Sequence, residues 1–519
     1  MKKAILTIIG FTMLGIVSCT DDLNTEPKVQ LTLDELLAQD PAAITGIVSR
    51  LYASFALSGP NGPGSSDISD DPGESPFLRG IINLQDFTAD GMKNRWGDDG
   101  LDQLTTTSDW DGNNKFFRYL YNRAYYTIPQ CNNLLQVLNS SDFPNSETIK
   151  GETRFLRSLA YFYLIDAFGK GVLATEDNLG QTQPLPEASR EELFNYVESE
   201  LLAIEPSMPL TSEYGRANKF VVDMLLAKLY INAQVYTSTA RYDDAVVYVN
   251  KIINEGSYTL TPNFIQLFSA DNNVSSEIIF PLIADAVTSQ SFGNTTYIVN
   301  GNLSPDTIPI IEFGATEGWQ GHRATSAWYG LFGDLNTSTD IRASLFWTEG
   351  HNYEMTNYRT WTDGYPAVKF RNTNSTGSST ATSFSPTDFP LYRLADVYLM
   401  YAELAVRGAA GASMSDALNY VNLVRSRANA ANITQAQLNL DFILDERARE
   451  LNLEGHRRTD LIRFGKYYSR LFTSPLFMAL EGQCSKRRIH SRLLQPISYS
   501  RTSASSQFKF TTKPRILIT

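Results

Sequence analysis

Cysteine and histidine are scarce in this chain. Three cysteines in 519 residues, Cys19, Cys131 and Cys484, do not make a disulfide framework. The four histidines, His322, His351, His456 and His490, have no zinc-binding spacing such as H-E-x-x-H. A G-x-S-x-G elbow and a phosphate-binding Walker loop are also missing. Asp67–Glu74 fails the EF-hand spacing and reads as a surface loop. Acid pairs such as Asp70–Asp71 and Asp98–Asp99 are sequence neighbours, which does not supply two carboxyls at a catalytic separation. These absences predict a protein with no catalytic residues, no metal and no cofactor. Basic charge is the minority, 44 Lys+Arg against 56 Asp+Glu, and a net −12 argues against nucleic acid as a partner.

Long apolar runs are lacking too, apart from Ala4–Val17, which is too short for a permanent membrane span. Lys2 and Lys3 precede it and Ile16-Val17-Ser18-Cys19 ends it, the pattern of a lipoprotein signal peptide over residues 1–18. Cleavage before Cys19 would leave a thiol that carries diacylglycerol and an amine that is acylated, for example with palmitate. Several acyl chains, at about 0.8 kcal/mol per buried CH₂, give a stable anchor where one chain would not. Residues 19–32 read as a lipidated tether. Cys131 lies in an apolar helical pattern and reads as a small buried hydrophobe.

What is present is a large body: 42% hydrophobic residues and 12% aromatics suffice for an extensive core. Helical periodicity is predicted at about 33–57, 116–138, 147–167, 189–205, 217–236, 241–255, 389–407, 414–429 and 435–466. Paired helices of this size suggest tetratricopeptide-like hairpins, although no clean 34-residue period is visible. Between about 258 and 385 the chain turns to Gly, Asn, Ser, Thr and aromatics. Ser275–Leu282 reads as a short strand there, and Thr373–Ser385 as a flexible loop.

The run 445–466, DERARELNLEGHRRTDLIRFGK, is the most distinctive. Leu444, Ala448 and Leu451 recur on one helical face, and Gly455 falls where a helix end wants positive φ. Asp445–Arg449 and Glu454–Arg458 stand four apart, acid first, the favourable order for pairing on a helix. The spelling resembles the C-terminal signature of the SusD/RagB family of Bacteroidetes nutrient-binding outer-membrane lipoproteins. The run Asp388 to Asp396 with Tyr401-Ala402-Glu403 resembles the family's preceding helix, and Thr20-Asp21-Asp22 resembles the surface-export tag of lipoproteins in that phylum. The resemblance implies a mainly α fold: a helical-repeat scaffold plus a loop-rich half that supplies most of the ligand face, over residues 33–470 (regions 33–235 and 236–470). It also implies a surface-exposed outer-membrane lipoprotein that passes a glycan to a TonB-dependent, SusC-like channel. Glu403, Arg393, Arg447, Glu454 and Arg463 match family positions and read as architecture, because charges on buried seams usually pair and fix registry.

Two loops carry the candidate ligand site. Asn94-Arg95-Trp96-Gly97-Asp98-Asp99-Gly100 combines an indole face for a sugar's C–H face with Arg95 and Asp99 for hydroxyls. Its alternative is Trp96 folded under its own loop, with Arg95 paired to Asp98 or Asp99. Gly318-Trp319-Gln320-Gly321 resembles the family's Gly-Trp-Asn-Gly loop, with Gln320 in the Asn position. Trp328 and Tyr329 read as core, while Trp361 to Pro366 has turn chemistry and reads as a turn capped by aromatics over the core, the alternative being an exposed aromatic pair.

The end of the chain departs from the family. Leu471–Thr519 is Ser-rich and basic, with eight Lys/Arg and one acid. Among permitted codons, a one-nucleotide shift turns Leu493–Ser500 into Tyr-Tyr-Asn-Leu-Tyr-Pro-Ile-Pro. The same shift gives Phe508–Ile518 an Asn-Pro-Gly-Tyr ending and a stop. Both are family-like endings, so residues 471–519 read as frame-shifted, the alternative being a genuine tail for anionic surface groups. Two other functions remain open at this stage: a helical adaptor lipoprotein for a protein partner, and a lipid-anchored glycoside hydrolase.

Overall fold

The computed structural model describes residues 32–97, 100–107, 110–140, 145–378 and 380–472. Cys19, the tether up to residue 31, Asp98, Asp99 and the tail from residue 473 lie outside the described residues. The fold is mainly α, as expected from the periodicity. Lys115–Ser140 packs on Ser146–Phe168, which packs on Arg190–Ile204. Lys219–Ile231 packs on Tyr242–Glu255, which reaches Leu394–Val406; that helix in turn holds Met414–Arg427 and Leu440–Leu451. Local chemistry sets the ends: Ser189 and Glu192 form a capping box, and Gly169 ends Ser146–Phe168 at φ 75°. No helix among the described residues is long and apolar enough to cross a membrane.

Several sequence expectations need correction. The helix expected over 389–407 begins as a strand: Phe389–Arg393 pairs antiparallel with Ile278–Leu282, and the helix starts at Leu394. Both strands are buried throughout, so an apolar run there reads equally as helix or strand. Phe77–Ile82 continues directly into a π-helix, Asn83–Phe87, that the sequence did not suggest. Gly455 has the expected positive φ of 71°, but the helix before it ends at Leu451 and the next starts at Arg457.

The expected i,i+4 pairs in this run do not form. Asp445 accepts from Arg470 at 2.7 Å, Arg449 binds Glu446, and Glu454 turns inward to Arg393 and Lys369. A local pairing is worth only tenths of a kcal/mol, and tertiary partners override it. The family-matching charges are indeed architectural. Arg393 donates to Glu277, Glu450 and Glu454 at 2.6–2.9 Å with every partner buried, and Arg463 spans Glu403 and Asp460. Cys131 is fully buried, and Asp67 in the 67–74 loop is taken by Arg50 and Arg123.

Candidate functional site

Residues 225 apart in sequence meet because of one two-stranded ribbon. Met92–Asn94 pairs antiparallel with His322–Ala324, and the Arg95 amide extends the ladder by donating to Gly321 O at 2.9 Å. The 318–321 loop is fixed by its backbone. Trp319, Gln320 and Gly321 donate their amides to Asn300 O, Leu303 O and Gly301 O at 2.7–2.9 Å, at the end of the helix Thr295–Asn302. Gln320 holds a positive φ of 52°.

On this frame Trp96 and Trp319 stand side by side, ring centroids 6.4 Å apart and planes inclined by 49°. Both are half-buried. The Trp96 indole N–H donates to Trp319 O at 3.1 Å, and the Trp319 N–H donates to Glu317 at 3.0 Å. One side of the Trp96 ring rests on Gly321, where a Cβ would stand 2.6 Å from the indole, so glycine is needed for this close approach. Beneath it lie His322 and Tyr297, at 5.5 and 6.2 Å between centroids, with the Arg79 guanidinium over Tyr297 at 4.5 Å.

His322 is fully buried, and neither ring nitrogen has a hydrogen-bond partner among the described residues. Burial first, and then Arg79 and Arg323, hold its pKa well below the ordinary histidine value, so it serves as a neutral aromatic support. Arg323, on the next residue of the strand, spends its donors on the backbone carbonyls of Gly321, Tyr358, Thr360 and Asp363. Burial and then Arg95 bring it down to about 9, and it remains a cation at neutral pH.

The polar rim is more loosely tied. Arg95 reaches Gln320 Oε1 at 3.4 Å, and Gln320 Nε2 donates to Asp306 at 2.6 Å. Arg359 lies against Gly97, and its only ion pair among the described residues is with Asp102 at 3.4 Å. The expected quartet Arg95, Trp96, Trp319 and Gln320 therefore does converge; Asp99 lies outside the described residues. Arg79, Tyr297, His322, Glu317, Asp306 and Arg359 join the site without having been singled out. Only the topology brings them together, and a sequence without its strand pairing gives no signal for them. Trp328 is core at 1% exposure and Trp361 is buried, its N–H donating to Thr307, while Trp110 and Trp347 are half-buried.

This arrangement offers two partly open ring faces with guanidinium, amide and carboxylate groups at their margin. That suits a polyhydroxylated ligand with apolar C–H faces. Among the described residues no group of histidine, cysteine and acidic side chains could hold a metal.

Comparison with known proteins fits these observations. The SusD family model matches residues 328–507, and the model described as "Starch-binding associating with outer membrane" matches residues 83–231. The starch-binding protein SusD of Bacteroides thetaiotaomicron is 31% identical over 514 residues, covering 89% of each chain. Among solved structures, a SusD superfamily protein of Bacteroides vulgatus superposes with a TM-score of 0.66 at 19% identity, over 86% of this chain and 94% of that one. Surface glycan-binding protein A of B. thetaiotaomicron, in complex with laminarihexaose, superposes with a TM-score of 0.64 at 22% identity, over 82% and 91%. With its helical-hairpin scaffold and this degree of identity along nearly the whole length, the chain belongs to the SusD/RagB family.

Proposed function

We propose that this chain is a non-catalytic surface lipoprotein, anchored through Cys19, that binds a glycan at the Trp96–Trp319 platform and delivers it to a TonB-dependent, SusC-like outer-membrane channel. The observation that carries the reading is the meeting of two partly open indoles from remote loops, 6.4 Å apart, with Arg95, Gln320 and Glu317 at their margin. The names of its relatives, starch-binding protein and surface glycan-binding protein, support the same ligand class. Each ring stacked on a sugar adds roughly 0.5–1.5 kcal/mol beyond area burial. Repeated contacts along a polymer then raise retention through effective concentration.

The test is retardation in native gels containing amylopectin, laminarin or other soluble glycans, together with thermal melting. Trp96→Ala and Trp319→Ala are each expected to reduce retardation about tenfold. Trp319→Ala should leave melting nearly unchanged, and Trp96→Ala should lower it modestly because its ring covers Gly321 and His322. A sharp fall in melting with unchanged retardation would make both residues core and end the glycan reading.

A further inference from the structure

We propose that the ligand face continues past the two tryptophans onto a second platform, a notch formed by Tyr353 and Tyr365, which stacks a further sugar unit of the same chain. The inference rests on the glycan reading above and adds to it a preference for longer oligosaccharides. Tyr353, at 44% exposure, is the most exposed aromatic residue among those described. Tyr214, at 43%, has a structural reason for its place, since its hydroxyl donates to Asp388 at 2.7 Å. The Tyr353 hydroxyl has no hydrogen-bond partner among the described residues. Its ring stands 6.1 Å from that of half-buried Tyr365 at 81°, so the two make the walls of a corner, and buried Tyr329 backs both at 5.0 and 4.4 Å.

The corner is pre-formed. The Asp363 carboxylate accepts from Asn352 Nδ2, from the Thr356 amide and hydroxyl, and from the Asn357 amide at 2.9–3.1 Å, and the Tyr329 hydroxyl donates to the Tyr353 carbonyl. A platform that is ordered before binding costs little conformational entropy when a ligand arrives.

The second platform is continuous with the first. Tyr365 exchanges both backbone hydrogen bonds with Ala324, at 2.8 and 3.2 Å, on the strand whose other end carries Gly321 beneath Trp96. Gly321 and Ala324 are three strand residues apart, which separates the backbones beneath Trp96 and beside Tyr365 by about 10 Å, the scale of an oligosaccharide and not of a single sugar. Between them the exposed side of the loop runs through Glu354, Thr356 and Asn357 to Arg359, whose guanidinium lies against Gly97, next to Trp96.

Calorimetric titration of the intact soluble domain with maltotriose, maltoheptaose and the corresponding laminari-oligosaccharides tests the proposal. Wild type should bind the longer member of one series several-fold more tightly than the shorter. Tyr353→Ala should weaken only the longer ligand, by roughly fivefold, the scale of one ring–sugar contact. Tyr353→Phe should restore it, and the melting temperature should stay constant in both variants. Equal affinity of Tyr353→Ala and wild type for the longer ligand overturns the second platform while leaving the first intact. An equal loss for both lengths overturns it too. Wild type that binds neither series removes the Trp96–Trp319 platform as a site for these glucans and the notch with it, an outcome distinct from the other two.

Discussion

Arginine does opposite things in the interior of this molecule and at the rim of the candidate site. In the interior Arg393 is fully enclosed and saturated by three carboxylates and the Glu450 carbonyl, and Arg342 by Asp340, Glu446 and Glu450. At the rim Arg95 and Arg359 each reach only one side-chain acceptor among the described residues, at 3.4 Å, with the Arg359 side chain 51% exposed. A buried charge left unpaired is costly, so paired ones fix how the packed elements dock. Partly exposed charges with spare donors cost little to keep and remain available to a ligand. Residue type alone does not tell an architectural arginine from one still open to a ligand; its share of occupied donors does.

The largest effect should come from breaking the saturated side. Arg393→Ala removes the cation shared by Glu277, Glu450 and Glu454, leaving three buried carboxylates to Arg342, Lys369 and Arg427, and should destabilise the fold by about 3–5 kcal/mol, measured by chemical denaturation. Acid attacks the same network. Burial pushes the Glu450 carboxyl up, but Arg427, Arg393 and Arg342 outweigh it and hold it well below the ordinary range; Asp460 is brought down to about 2 by Arg447 and Arg463, again against burial. A carboxylate depressed in the folded state contributes stability above its unfolded pKa and loses it as pH falls through its folded pKa. Stability should therefore hold at pH 5 and decline between the ordinary carboxylate values, 3.8–4.5, and about 2.

Asp223 sharpens the comparison from the other direction, as a buried charge without its complement. Neither of its oxygens has a hydrogen-bond partner among the described residues, while Lys219 and Lys251 are taken by Glu205. Burial first, then Glu205, raises its pKa to about 7. Above pH 3.8 the unfolded chain releases this proton and the folded one keeps it, so stability falls as pH rises toward 7. Asp223→Asn should be nearly neutral at pH 4 and stabilising by on the order of 2 kcal/mol at pH 8, read from paired denaturation curves. The smallest effect belongs to the open side: Arg359→Ala removes a long, exposed pair and should change stability by less than about 0.5 kcal/mol. A loss comparable to that of Arg393→Ala would erase the distinction between interior and rim.

Much of the scaffold was legible because amphipathic helices announce themselves: 116–138 and 147–167 lie within Lys115–Ser140 and Ser146–Phe168. The strand at Phe389–Arg393 was not, since a run buried on both faces has no period to read. For the site, loop composition was enough to pick out Trp96 and Trp319, but not the groups under them. Arg79, Tyr297 and His322 sit within ordinary-looking apolar or helical segments, and their role depends on a pairing between residues 92–94 and 322–324. The tail reading stays outside the described residues and is settled by the gene's nucleotides: the shifted frame must contain the Asn-Pro-Gly-Tyr codons and a stop.

The way the 318–321 loop hangs from the end of Thr295–Asn302 has a bearing on how such proteins diversify. Its three anchors on that helix end are main-chain amides, so position 320 can change side chain without disturbing the neighbouring indoles, within the limits its positive φ of 52° sets. Under the proposed function, exchanging one residue at the rim retunes which hydroxyl pattern is favoured, while the stacking floor stays as it is.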